Sequence, residues 1–147
     1  MTRRGPFADV WFRAASSVHA GLLRLSRWHL GAGIAGMPVV LLRTTGRRSG
    51  RPREVVLSSP VIDGDRVVLV ASKGGDDRDP DWYRNLVADP SVELTVHGVA
   101  RRMTARTADE AERAELWPLI TAAYRGYAGY QRRTSRRIPL VICEPRD

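Results

Sequence analysis

The sequence predicts an α+β fold that is mainly β, a small antiparallel barrel with helices on its rim, and three observations carry that expectation. From residue 38 onward the chain is a series of short apolar or alternating runs punctuated by Gly, Pro and Asp turns, which is strand chemistry. Only two longer stretches, 1–37 and 109–133, repeat apolar residues at three- and four-residue steps, so helices flank the strands instead of alternating with them. Finally, 147 residues with 43% hydrophobic content suffice for a domain with its own core.

The elements follow in order. Residues 1–37 read as an amphipathic helix that ends in a Gly/Ala linker at 31–36. Phe7, Val10, Trp11, Ala14, Val18, Leu22, Leu25 and Trp28 share one face, flanked by Arg13, Arg24 and Arg27. Two readings fit this stripe: it packs on the rest of the fold, or it lies on an anionic membrane surface. The arginines interrupt every apolar stretch, so it is not a secretory signal. Residues 38–147 form the second unit. Residues 38–44 are a continuous apolar strand, 45–50 a glycine-bounded turn and 53–62 a second strand. Asp63-Gly64 predicts a type I′ hairpin into the returning strand 66–72, completing a three-stranded meander. After a loop at 73–78, Asp79 caps a short helix that Pro80 opens. Residues 91–97 alternate strictly, with Val92, Leu94 and Val96 on one face, and 100–107 is the partner strand after a turn at Gly98. Helical spacing over 109–133 and a last strand at 138–143 complete six strands and three helices.

Composition narrows the function. The single cysteine, Cys143, excludes an intrachain disulfide and a cysteine-cluster metal site. No apolar run nears the roughly 20 residues of a membrane span; Val67 to Ala71 is the longest. The net charge is +8, and it is lopsided: residues 1–53 hold ten arginines against one acid, Asp9. Such asymmetry calls for an anionic partner, whether nucleic acid, phospholipid or an acidic small molecule. His19, His29 and His97 have no acid or cysteine at ligand spacing, so no metal site is expected. There is no Gly-x-Ser-x-Gly elbow, and Cys143 sits in an apolar strand where a thiol is inert.

Three constellations remain. Thr44-Thr45-Gly46-Arg47-Arg48-Ser49-Gly50-Arg51-Pro52-Arg53 combines two glycines, small hydroxyls and four arginine forks. This reads as an anion cradle of backbone amides and guanidiniums, or as a solvated basic hairpin. It lacks the lysine and following helix of a P-loop. The second is Ala71-Ser72-Lys73-Gly74-Gly75 followed by Asp81-Trp82-Tyr83-Arg84-Asn85. Paired glycines after a strand let a flat ligand approach the backbone, and Lys73 is the only lysine among 24 basic residues. Trp82 and Asn85 share a helical face, where they line a ligand or, for Trp82, fill the core. The third is Tyr124-Arg125-Gly126-Tyr127-Ala128-Gly129-Tyr130, whose three tyrosines fan over about 120° of a helix. Each glycine there costs about 1 kcal/mol against alanine, which favours close backbone contact or a distorted segment. Core packing is the plain alternative for the tyrosines.

The order and spacing of Leu-Arg-Thr-Thr-Gly-Arg-Arg-Ser-Gly-Arg-Pro-Arg at 42–53, Ala-Ser-Lys-Gly-Gly at 71–75, Pro-Asp-Trp-Tyr-Arg-Asn-Leu at 80–86 and the tyrosine ladder resemble the deazaflavin-dependent nitroreductase family of actinobacteria. The resemblance runs over about residues 38–145. It implies a six-stranded split antiparallel β-barrel of the FMN-binding split-barrel type that binds coenzyme F420, a deazaflavin with a phosphate and an oligoglutamate tail. By that resemblance Arg47, Arg48, Ser49 and Arg53 meet the phosphate and tail. Val55, Val56, Leu57 and Ser58, with Val70, Ala71, Ser72 and Lys73, border the ring and ribityl chain. Asp81, Trp82, Tyr83 and Asn85 close the pocket, and Tyr124, Tyr127 and Tyr130 face the acceptor, with Tyr127 nearest the deazaflavin. Arg48 stands where lysine is common, and Ser58 where a larger side chain is frequent. The activity implied is an F420H2-dependent oxidoreductase of the nitroreductase or quinone reductase type. Hydride passes from C5 of the reduced deazaflavin to a nitroaromatic, quinone or enone, and Tyr127 and Ser72 polarise the acceptor. The implied place is the cytoplasm, with peripheral contact at the inner face of the plasma membrane through the N-terminal helix.

Three rivals stand beside it. An FMN-dependent reductase or oxidase on the same barrel has one phosphate to neutralise, fewer charges than four arginines supply. A nucleic-acid binder accounts for the charge, predicts steep salt dependence and leaves the Ser-Lys-Gly-Gly loop and tyrosines without a role. A coenzyme carrier without an acceptor of its own shares the whole site.

Overall fold

The computed structural model describes residues 33–34 and 36–146. The expected N-terminal helix lies outside these residues. Within them the chain runs β1 (Gly33–Ile34), β2 (Met37–Thr45), β3 (Pro52–Ser58), β4 (Val61–Asp63), β5 (Arg66–Val70), a 3₁₀ turn (Lys73–Gly75), α1 (Asp81–Ala88), β6 (Ser91–Val96), β7 (Val99–Thr107), α2 (Glu110–Ala123), α3 (Gly126–Arg132) and β8 (Leu140–Pro145). All pairings are antiparallel, in the order β1-β2-β6-β7-β8-β5-β4, and β3 lies along the other edge of β2.

Mainly antiparallel β agrees with expectation, but the element counts do not: the described residues hold three helices where two were expected there. Eight strands form among the described residues. The expected strand 53–62 breaks at Ser59-Pro60 into β3 and β4, because proline has no N–H for a ladder. The Ser59 hydroxyl takes over at the corner, 2.8 Å from the Val68 carbonyl. The expected meander is therefore a corner: β3 pairs with β2, and β4 with β5. No ladder among the described residues joins β3 to β4, so the sheet is not closed there.

The β4–β5 hairpin turns one residue later than expected. Asp63 pairs with Arg66, leaving Gly64-Asp65 as the turn, and only Gly64 takes positive φ, at 59°. The type I′ geometry occurs instead at His97-Gly98 between β6 and β7, where both φ values are positive. Asp79 does not cap α1; Pro80 occupies the cap position, and Asp79 pairs elsewhere. The expected helix 109–133 is two helices, interrupted at Tyr124-Arg125. α2 starts on a capping box, with Asp109 accepting from the Glu112 amide and Glu112 from the Asp109 amide.

Residues of the sheet serve two cores. Val67, Leu69, Ala71, Val141 and Cys143 join Val40, Leu42, Leu94 and Met103 in one cluster, which Trp82 and Leu86 of α1 also enter. Val68, Val70, Leu140 and Ile142 face the other way, against Leu116, Ile120 and Tyr127 of α2 and α3. β5 and β8 are thus buried on both faces, which explains their unbroken apolar runs. β2 and β5 are four ladder steps apart, roughly 19 Å in a flat sheet. Their sharing of one cluster requires the sheet to curl around it. On the outer surface Glu54, Arg43, Glu93 and Arg102 stand in one row across β3, β2, β6 and β7, opposite charges facing each other.

Candidate functional site

The turn between β2 and β3 is closed on itself. The Gly46 amide bonds to the Arg51 carbonyl at 2.8 Å, the Gly50 amide to the Gly46 carbonyl at 2.8 Å, and the Arg51 amide to the Ser49 hydroxyl at 3.2 Å. Gly46 is closely approached: a Cβ would sit 2.7 Å from Ser49 Oγ and 3.1 Å from the Arg51 carbonyl. Four amides of the expected cradle, those of Gly46, Arg47, Gly50 and Arg51, are spent within the protein. What the turn presents is side chains. Arg48, Ser49, Arg51 and Arg53 are exposed, and the three arginines make no ion pair among the described residues.

Arg47 is tied down. Its amide and guanidinium both donate to Asn85 Oδ1, at 3.2 and 3.0 Å, and its guanidinium is 3.6 Å from Asp81. Asn85, only 4% exposed, also donates to Thr44 Oγ1 at 3.3 Å. Asn85 thus fastens α1 to the arginine turn, a use that sequence spacing did not reveal. Trp82 anchors the helix to the sheet, its ring lying in the core cluster. The Tyr83 hydroxyl meets the Thr107 hydroxyl at 2.9 Å.

Along β3, Val55 and Leu57 pack against the core cluster, so Val56 and Ser58 face the opposite side of the strand, both half-buried. Val70 and Ala71 are likewise divided between the two cores, while Ser72 is buried at the strand end. The segment that follows departs from an ordinary loop. Lys73, Gly74 and Gly75 are successively left-handed, at φ 46°, 63° and 86°. Gly75 has no room for a Cβ, which would lie 2.8 Å from the Tyr130 carbonyl. The turn therefore rests directly on α3.

Three side chains from the segment after α3 hold it, and none was marked by the sequence reading. Arg136 bonds to the carbonyls of Ala71, Ser72 and Asp76 and to Asp79; Thr134 donates to Asp77 at 2.9 Å; Arg133 reaches the Gly74 carbonyl at 3.3 Å. The one available signal was the run Asp76-Asp77-Arg78-Asp79, whose acids need partners.

The three tyrosines meet, though not along one helix. Tyr124 terminates α2, while Tyr127 and Tyr130 lie on α3. Ring centroids are 5.4 Å apart for Tyr124–Tyr127, 6.1 Å for Tyr127–Tyr130 and 6.3 Å for Tyr124–Tyr130, all edge to face. Tyr124 folds back over Gly126, where a Cβ would lie 2.4 Å from its ring. Tyr127 is buried, with its hydroxyl 3.8 Å from Met37 Sδ. Burial, and then the neighbouring Tyr130 and Tyr124, push its phenol up to about 12. The thiol of Cys143 is likewise pushed up to about 12 by burial, consistent with inertness. Among the described residues no cluster of His, Cys, Asp and Glu could hold a metal ion.

Asn85 thus joins the arginine turn to α1, and Arg136 joins the left-handed turn and Asp79, just before α1, to the segment that follows the tyrosine helix. Comparison with known proteins matches residues 16–145 to the model of the F420H(2)-dependent quinone reductase family. The chain is 39% identical over 129 residues to the F420H(2)-dependent quinone reductase Rv1261c of Mycobacterium tuberculosis, covering 85% of this chain and 86% of that one. A solved F420-H2 dependent reductase, FDR-A, is 42% identical, with a TM-score of 0.67 over 73% of this chain and 94% of its own. A heme binding protein from Mycobacterium smegmatis, 16% identical with a TM-score of 0.57 over 74% of this chain and 46% of its own, shares the fold alone.

Proposed function

Since this chain belongs to the F420H(2)-dependent quinone reductase family, we propose that it binds reduced coenzyme F420 and reduces a quinone-type acceptor, with nitroaromatics and enones as chemically related acceptors. The observation that carries this reading is the continuous rim from the arginine turn to the tyrosines. The donor set fits the coenzyme. Arg48, Arg51 and Arg53 offer guanidinium forks that are not paired with carboxylates among the described residues, which suits a phosphate and a polyglutamate tail. Arg47 and Ser49 complete that side. At the other end the left-handed Lys73-Gly74-Gly75 turn puts a half-buried glycine without a side chain, Gly74, close to Ser72, which suits the edge of a flat ring.

When bound, the coenzyme supplies a hydride from C5 of its reduced deazaflavin to the acceptor. The protein's own contribution is binding, orientation and hydrogen bonding at the developing charge. Ser72 and Lys73 border the ring, together with Val56 and Ser58 on the outward side of β3, and Val70 and Ala71 back them from the two cores. Val55, Leu57, Trp82, Tyr83 and Asn85 act from beneath, by fixing β3 and α1. Tyr124 and Tyr130, half-buried, line the acceptor side. Tyr127 sits between them with its proton held, so it acts as a neutral donor and never as a phenolate at neutral pH.

The finer shape proposed is a split barrel around the first core, preceded by the amphipathic segment 1–37. The apolar stripe of that segment and its flanking arginines support contact with an anionic membrane face, where lipid-soluble quinones are found. The test is anaerobic mixing of the protein with F420H2 and menadione, watching for recovery of oxidised-coenzyme absorbance. Catalysed oxidation above the rate without protein is expected. Tight binding of F420 with no acceleration for menadione or a nitroimidazole would instead make the protein a carrier.

A further inference from the structure

Arg136 is the most heavily bonded side chain of the site, and no motif led to it. It lies on the segment between α3 and β8, its side chain only 15% exposed. Its Nε donates to the Asp76 carbonyl at 2.7 Å, Nη2 to the carbonyls of Ser72 at 2.8 Å and Ala71 at 3.2 Å, and Nη1 to Asp79 at 3.1 Å. These acceptors bracket the left-handed turn on both sides. A lysine-type ammonium could not serve them all, because they are spread as the planar guanidinium fork is spread.

The turn needs such a clamp. A left-handed φ of 46° is unfavourable for Lys73, which carries a Cβ, and unfavourable backbone persists only where its surroundings determine it. Inside the turn two backbone bonds help, Gly75 amide to Ser72 carbonyl at 2.9 Å and Asp76 amide to Lys73 carbonyl at 3.2 Å. The same clamp sets a distance. Arg136 follows α3 closely, and Gly75 already touches the Tyr130 carbonyl. Fixing the turn from Arg136 therefore fixes it relative to the tyrosines.

We propose that Arg136 is a positioning residue that holds the Ser72–Gly75 turn in register with the tyrosine helix, so that the coenzyme-ring side and the acceptor side of the site keep one spacing. The role rests on the functional reading above in taking that turn as a coenzyme contact. Arg136 acts through the turn, since its guanidinium donates to protein acceptors on both sides of it.

The experiment compares wild type with Arg136→Lys, which keeps the charge, and Arg136→Gln, all as full chains with folding checked by thermal melting. Hydrogen exchange is read at the Gly75 and Asp76 amides, and F420 affinity by fluorescence titration. In Arg136→Lys, exchange at these two amides speeds up at least roughly tenfold while β5 and β8 amides stay protected. The F420 dissociation constant and the KM for F420H2 rise by about tenfold, with kcat changed less, since losing the fork is worth one or two hydrogen bonds to a charged group. A merely structural loss would lower the active fraction and leave that KM alone. Unchanged exchange in both variants overturns the proposal, as does faster exchange with unchanged affinity. Wild type that fails to bind F420 overturns the functional reading, and exchange at Gly75 and Asp76 still decides whether Arg136 clamps the turn.

Discussion

Tyr127 shows at one residue how packing sets the state of a side chain. With its phenol pushed up to about 12 by burial and by the tyrosines beside it, it stays neutral far above physiological pH. The consequence for stability has a definite sign. An unfolded tyrosine ionises near 10 and the folded one only near 12, so between these values the unfolded state is favoured and stability falls as pH rises. Cys143, raised from 9.0 to about 12, begins the same loss one unit earlier. Urea melts at neutral and alkaline pH should show this decline, with the part above about pH 10 reduced in Tyr127→Phe. Asn85 illustrates the limit of reading residues singly. Its place one helical turn from Trp82 suggested a ligand contact, and beyond that its oxygen and nitrogen fasten Arg47 of the arginine turn and Thr44 at the end of β2. Asn85→Ala should cost about 2 kcal/mol in a urea melt, the penalty of leaving buried partners unmade. It should also weaken F420 binding, because the arginine turn loses its anchor.

Strand and helix types were legible where periodicity was long, as in β6 with its alternation and α2 with its helical spacing. What escaped was punctuation that depends on distant partners. The corner at Ser59-Pro60 is stabilised by a hydroxyl bond to β5, and the break at Tyr124-Arg125 by a ring folding over Gly126. The doubly buried β5 and β8 looked like ordinary apolar runs because their second face is covered by helices far along the chain. Gly126→Ala tests the break. Its Cβ would collide with the Tyr124 ring, the far end of a movable side chain, so the fold should survive while Tyr124 leaves the trio. The acceptor KM should rise by roughly tenfold, about the worth of the lost ring contacts, with F420 affinity unchanged. At the start of α2, Asp109→Ala should cost about 1 kcal/mol in thermal melts. Glu112, held down to about 2 by Arg106 and the Asp109 amide, contributes stability that is present above its ordinary value of 4.5 and lost as pH falls towards 2.

At the scale of the whole molecule, the excess of positive charge divides by position. Asp and Glu neutralise the outer rows of the sheet, through pairs such as Arg43–Glu54 and Arg106–Glu112, while the turn at 46–53 keeps its arginines exposed. The charge in this part of the chain is therefore local, matched to a small polyanion more than to the extended backbone of a nucleic acid. Composition exposed the asymmetry, but only the tertiary links through Asn85 and Arg136 join the arginine turn to the tyrosines, and no spacing rule contains those links. The central claim is that this rim is a site for F420. It is tested most directly by equilibrium fluorescence titration of the protein with F420, FMN and FAD separately, at low and high salt. The account predicts micromolar or tighter binding of F420 that weakens as salt screens the tail, and much weaker binding of both flavins. Micromolar FMN binding with no response to F420 would contradict it.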